Sequence, residues 1–154
     1  RLSETGVAAA WLALLWSAHH VVKMVSAYYG GKVSDSLGRR GMIAAGWWFY
    51  AAVYLGFALV DSPVGLIALF LAYGLYFGLT EPCEKAWVAD MAPKDLRGSA
   101  MGGYHMVVGL AALPASLVFG LLWKVFGVAA AFGTGAALAL AASLVLFTVR
   151  QSRT

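Results

Sequence analysis

Five apolar runs, set apart by short charged or turn-forming breaks, constrain this chain more than any other feature. They cover approximately residues 7–29, 41–60, 64–90, 98–123 and 127–149. Each reaches the roughly 20 residues that a helix needs to cross about 30 Å of hydrocarbon. In lipid every backbone amide and carbonyl must find a partner within the protein, which leaves helices or a closed barrel. Barrel strands are ~10 residues long and alternate in polarity, and no such alternation runs through these segments. The expected fold class is all-α: a polytopic membrane protein in which residues 1–154 form a single transmembrane helical domain. The breaks are short, so consecutive helices are expected to be antiparallel neighbours.

Charge distribution narrows the function classes. Only 12% of residues are charged and 62% are hydrophobic, against about 25% charged in soluble domains. The net charge of +4 is scattered over the breaks instead of being gathered on one solvated face, so membrane lipid, and not nucleic acid, is the expected surface partner. Lys32, Arg39, Arg40, Lys94, Arg97, Arg150 and Arg153 fall on one side of the alternating helices, and Arg1 and Lys124 on the other with Glu4 and Asp61. Positive residues favour the cytoplasmic side. The loops at 30–41 and 91–98 and the C-terminus are therefore expected in the cytoplasm, for a multi-pass protein of a bacterial inner membrane. The single cysteine, Cys83, excludes an intrachain disulfide and a cysteine-based zinc cluster. The chain starts at Arg1 without a cleavable signal pattern, and reads as one piece of a longer polypeptide.

Two breaks carry specific patterns. Residues 31–41 read Gly-Lys-Val-Ser-Asp-Ser-Leu-Gly-Arg-Arg-Gly, a glycine-bounded charged turn in which Asp35 is placed to pair with Arg39 or Arg40. Residues 90–98 read Asp-Met-Ala-Pro-Lys-Asp-Leu-Arg-Gly. The first resembles the signature loop of the major facilitator superfamily, roughly G-x-L-A-D-R-x-G-R-K, with Gly31, Asp35, Gly38, Arg39 and Arg40 matching and Ser36 where a basic residue is frequent. The second, with Asp90 and Arg97, resembles the family's D-x-x-P-x-x-x-R-G loop. The resemblance implies that these residues form a cytoplasmic gate. It also implies that the five helices are part of a six-helix half of a twelve-helix bundle, matching helices eight to twelve. The remaining helices would come from the same polypeptide or a partner chain. Because the two halves are internal repeats, helices two to six are the alternative assignment.

Charges inside the apolar runs point to the site. His19, His20 and Lys23 lie in the first run, and Glu81, Glu84 and Lys85 in the third. An unpaired central charge costs at least about 2.5–3.5 kcal/mol on insertion scales, so these groups are expected to face each other, a cavity or a substrate. Glu81 and Lys85 stand in the favourable i,i+4 order. Glu84 has no such partner on its own helix, and Lys23 is a candidate either to reach it or to bind an anionic substrate. The bland reading is a salt-bridge network that only fixes packing. Pro82 removes an amide beside these carboxylates, and Tyr73, Tyr76, Phe77 and Trp87 are candidate aromatic walls. His105, in the fourth run, reads chiefly as an interhelical hydrogen-bond partner and, as the alternative, as a proton-exchanging group. Substrate-binding or proton-coupling roles are thus expected among Glu81, Glu84, Lys85, Lys23, His19, His20 and His105.

Enzymatic readings find little support. No nucleophile elbow, phosphate-binding glycine loop or H-E-x-x-H is present, and no cofactor is expected. No two histidines share i,i+4 spacing, and adjacent ones diverge by about 100°, so no metal site is expected. The sequence reads as part of an alternating-access secondary transporter for a small solute, coupled to protons. A non-transporting membrane scaffold with a transporter-like fold is the alternative.

Overall fold

The computed structural model describes residues 9–149. They form five helices: α1 (Ala9–Leu37), α2 (Arg39–Leu59), α3 (Pro63–Met91), α4 (Arg97–Phe126) and α5 (Val128–Thr148). No strand occurs among the described residues. Helices α2 to α5 are each long and apolar enough to cross a membrane. Helix α1 is long enough but less apolar, because it turns His19, Ser26 and Ser34 inward, where all three are buried.

The first break differs from its expected form. Residues 31–37 continue α1 as helix, and only Gly38 separates α1 from α2. Its φ of 86° lies in the left-handed region that glycine tolerates. At about 1.5 Å per residue, the 29 residues of α1 exceed the hydrocarbon thickness. Charged residues mark where a helix leaves the apolar layer, and a helix is free to continue past that point. The same holds for Lys124, which stands in the last turn of α4 and not in a loop. Helix α3 starts at a capped end, with Ser62 Oγ accepting from the Gly65 amide at 3.2 Å and Pro63 in the first position. It runs unbroken through Pro82.

Packing is uneven around the bundle. Helix α1 lies chiefly on α3, α2 lies on both α5 and α3, and α4 touches α5 and, more lightly, α3. The α1–α3 approach depends on small residues: a Cβ at Gly78 would sit 2.4 Å from the Lys23 carbonyl oxygen and 1.8 Å from Ser26 Oγ. Ile43 and Ala44 of α2, Cys83 of α3 and Leu146 of α5 form a buried cluster. Trp48 Nε1 donates to Ser143 Oγ at 2.8 Å, tying α2 to α5. Helix α4 has no buried residue. Its Phe119 and Trp123 rings meet Phe132 of α5, while side chains such as Leu117, 73% exposed, point outward. Such apolar exteriors suit hydrocarbon and further helices.

Candidate functional site

The close approach of α1 to α3 sets the electrostatics of the bundle interior. It brings Lys23 Nζ to 2.7 Å from Glu81 Oε2, while Lys85 Nζ lies 2.7 Å from Glu81 Oε1. One carboxylate thus holds an ammonium on each oxygen. Lys23 also lies over the Phe77 ring, 5.0 Å from its centroid. The expected pairing of Lys23 with Glu84 is replaced by the pairing with Glu81. Glu81 stands one turn nearer to the level at which α1 presents its lysine.

Glu84 is held differently. Trp47 Nε1 of α2 donates to its Oε1 at 3.0 Å, and the Tyr104 hydroxyl of α4 donates to its Oε2 at 2.9 Å. Among the described residues no ammonium or guanidinium lies at ion-pair distance from it. Both carboxylates open onto a cavity of about 280 Å³ between α1, α3 and α4. Lys23, Tyr76, Phe77, Thr80, Lys85, His105 and Tyr104 line it with them.

Of the histidines, only His105 reaches this cavity. His19 is buried against α3, where its Nδ1 is 3.0 Å from the Phe70 carbonyl oxygen and its ring stacks on Trp16. This hydrogen bond is the satisfied interhelical role that such a residue fills in a membrane. His20 is exposed and bonds back to the Trp16 carbonyl at 2.9 Å. The structure therefore separates both from Glu81 and Glu84. Among the described residues no three histidine, cysteine, aspartate or glutamate side chains converge as metal ligands would. Tyr76 and Phe77 are cavity walls. Tyr73 stacks instead with Tyr76 and meets Tyr54 of α2, and Trp87 packs on the Ile43–Cys83 cluster.

A second group lies at the Gly38 end of the bundle. Arg39 Nη1 is 3.1 Å from Asp35 Oδ1 on the last turns of α1, and its Nε donates to Asp90 Oδ2 near the end of α3. Its Nη1 also lies 3.3 Å from Ser34 Oγ. One guanidinium therefore ties three helix ends together. Arg40 takes no part in this cluster. It stacks over Phe147 of α5, 5.1 Å from the ring centroid, and its Nε and Nη2 have no hydrogen-bond partner among the described residues. Gly31 is an ordinary helical position, Gly38 is the joint, and Arg97 is exposed at the start of α4.

Trp47 and Tyr104 are the site residues that sequence reasoning missed. Aromatic residues facing lipid look the same in sequence, and only the rotation of α2 and α4 turns these two toward Glu84. A larger cavity of about 800 Å³ opens between α2, α4 and α5, with Trp47 and Tyr76 shared between its lining and the charged site. Its walls carry aromatic and aliphatic side chains with the hydroxyls of Ser116 and Thr134, and no charged group.

Comparisons with known proteins agree with this architecture. The family model described as Major Facilitator Superfamily matches residues 2–154. The chain is similar to an uncharacterized MFS-type transporter of Methanocaldococcus jannaschii, 40% identical over 119 residues, which cover 77% of this chain and 30% of that protein. It is similar to a multi-drug resistance efflux pump PmrA homolog of Lactococcus lactis, 32% identical over 123 residues, 79% of this chain and 30% of the pump. A facilitated glucose transporter, member 2 of solute carrier family 2 from Bos taurus, is 27% identical over 97% of this chain and 31% of its own length. No solved structure matches. The chain spans about a third of the length of these relatives. Five long helices joined by short turns, four of them of membrane-crossing length and hydropathy, with the family match running over nearly every residue, place this multi-pass membrane chain in the Major Facilitator Superfamily.

Proposed function

We propose that this chain is the part of an alternating-access secondary transporter corresponding to helices eight to twelve, and that it couples solute movement to protons through Glu84. The remaining helices belong to the same polypeptide or to a partner chain, in keeping with the third of the relatives' length that is covered. The Gly38 joint, the 92–96 turn and the C-terminal segment face the cytoplasm of a bacterial cell, following the basic residues. Named relatives include a drug efflux pump and a glucose carrier, so the solute has to be read from the site.

The observation that carries the proton assignment is the pair of neutral donors on Glu84. A tyrosine hydroxyl both donates and accepts. Tyr104 donates to the ionised carboxylate and can turn to accept from the protonated one, so Glu84 is satisfied in either state. Glu81, gripped by two ammoniums, has no such freedom. Glu84 is thus the carboxylate able to gain and lose a proton without leaving a partner stranded.

The test is Glu84→Gln in the reconstituted full-length transporter. Proton-driven accumulation is expected to vanish, while exchange of solute across the membrane persists. Accumulation equal to wild type across pH removes Glu84 from coupling. A protein that carries no solute in either form supports the scaffold alternative.

A further inference from the structure

We propose that the cavity between Glu81 and Glu84 receives a small monoanionic carboxylate, whose charge is matched by a proton on Glu84. This rests on the coupling role given to Glu84 and adds the solute's charge and size. The charge count of the cavity is the reason. Lys23 and Lys85 share the single carboxylate of Glu81 at 2.7 Å each, which leaves one positive charge over. Glu84 does not cancel it by contact, because its bonds go to Trp47 and Tyr104. The other titratable groups at this level are Tyr76 on α3 and Tyr104 and His105 on α4. Helix α2 brings the neutral Trp47 indole to Glu84, and its Tyr50 packs on Tyr76.

Two balanced states follow. With Glu84 ionised, two ammoniums face two carboxylates and the cavity is neutral. With Glu84 protonated, one positive charge is left unbalanced in the cavity, a state that an entering anion neutralises. Proton and anion therefore favour each other's binding, and the pair enters as H⁺ plus one carboxylate with no net charge change over the empty ionised site. A cation has no equivalent place: it would replace the proton at Glu84 with two ammoniums already in the cavity. Both lysine side chains keep about a third of their surface, 36% for Lys23 and 37% for Lys85, so an ammonium can turn from Glu81 to a ligand. A volume of about 280 Å³ admits a compact solute of one ring or fewer, with Tyr76 and Phe77 as its apolar walls.

Calorimetric titration of the full-length transporter in detergent micelles tests this with two probes of one shape and opposite charge, benzoate and benzyltrimethylammonium. Repeating the titration in buffers of different ionisation enthalpy counts the protons exchanged. Benzoate is expected to bind with uptake of about one proton, and benzyltrimethylammonium not to bind. Lys85→Gln is expected to lower benzoate affinity at least tenfold, and Glu84→Gln to bind benzoate without proton uptake. Binding of benzyltrimethylammonium with proton release overturns the anion assignment while leaving Glu84 in its coupling role. Benzoate binding to the wild type without proton uptake overturns the linkage and the coupling role with it. Failure of the wild type to bind benzoate at millimolar concentration overturns the proposal by itself, whatever the variants do.

Discussion

Glu81 and Glu84 are one helical turn apart and live in opposite surroundings. Glu81 neutralises Lys23 and Lys85 at 2.7 Å, and a proton on it would strand two ammoniums. Glu84 faces an indole N–H and a phenol. The phenol is the partner that can reverse its hydrogen bond, so Tyr104→Phe should hinder the change of protonation state more than it disturbs the fold. Hydrogen bonds to charged groups contribute about 1.5–3 kcal/mol. We expect proton-driven accumulation to fall by about tenfold or more in Tyr104→Phe, with solute exchange near wild type, as measured in proteoliposomes of the full-length protein. The i,i+4 partnership of Glu81 and Lys85 was legible from spacing alone. The choice of Lys23 between the two carboxylates was not. Positions 81 and 84 differ by only about 60° around the helix, and the depth at which α1 docks decides between them. Trp47 and Tyr104 lie 37 and 20 residues from Glu84, and no periodicity within one helix relates them to it.

At the scale of elements, glycine positions fix how near two helices come. Gly78 lets α1 approach α3 until the Lys23 backbone touches it. A methyl group there meets backbone oxygen as well as the Ser26 hydroxyl, so a change of side-chain rotamer alone cannot make room. Gly78→Ala is expected to destabilise the bundle by about 1–3 kcal/mol through overpacking, read as a lower melting temperature in detergent micelles. It should also draw Lys23 away from Glu81 and so impair transport beyond the loss of stability. The number of helices was readable from hydropathy, because lipid leaves the backbone no other solution. Their ends were less so: the sequence marks where polarity begins, whereas α1 stops only at Gly38, seven residues past Gly31. The neighbours of each helix were not readable: chain order predicts α1 beside α2, yet of the helix pairs in contact this one touches least. That α1 prefers α3, and α2 prefers α5, follows from matched small residues and side-chain shapes on faces that look equally apolar in sequence.

At the scale of the whole molecule, Arg39 joins the ends of α1, α2 and α3 through Asp35 and Asp90. Such a knot resists relative motion of these helices, and the alternation proposed above requires it to be remade in each cycle. Asp35→Asn leaves Arg39 its contact with Asp90, whereas Asp90→Asn frees α3. Both variants should reach the membrane at wild-type levels and transport more slowly, by a few-fold for Asp35→Asn and more for Asp90→Asn. Initial uptake rates normalised to the amount of inserted protein check the order, and wild-type rates in both would remove the knot from gating. The motif made the Asp35–Arg39 contact legible; Asp90, 51 residues from Arg39, became its partner only once α2 and α3 were packed. Gly38 has a further consequence. Joined by a single residue, α1 and α2 have no slack with which to enter a bilayer separately. They are expected to insert as one hairpin, with Lys32, Arg39 and Arg40 beside the joint setting for both helices at once which way it points. An error at that moment of biogenesis cannot be repaired one helix at a time.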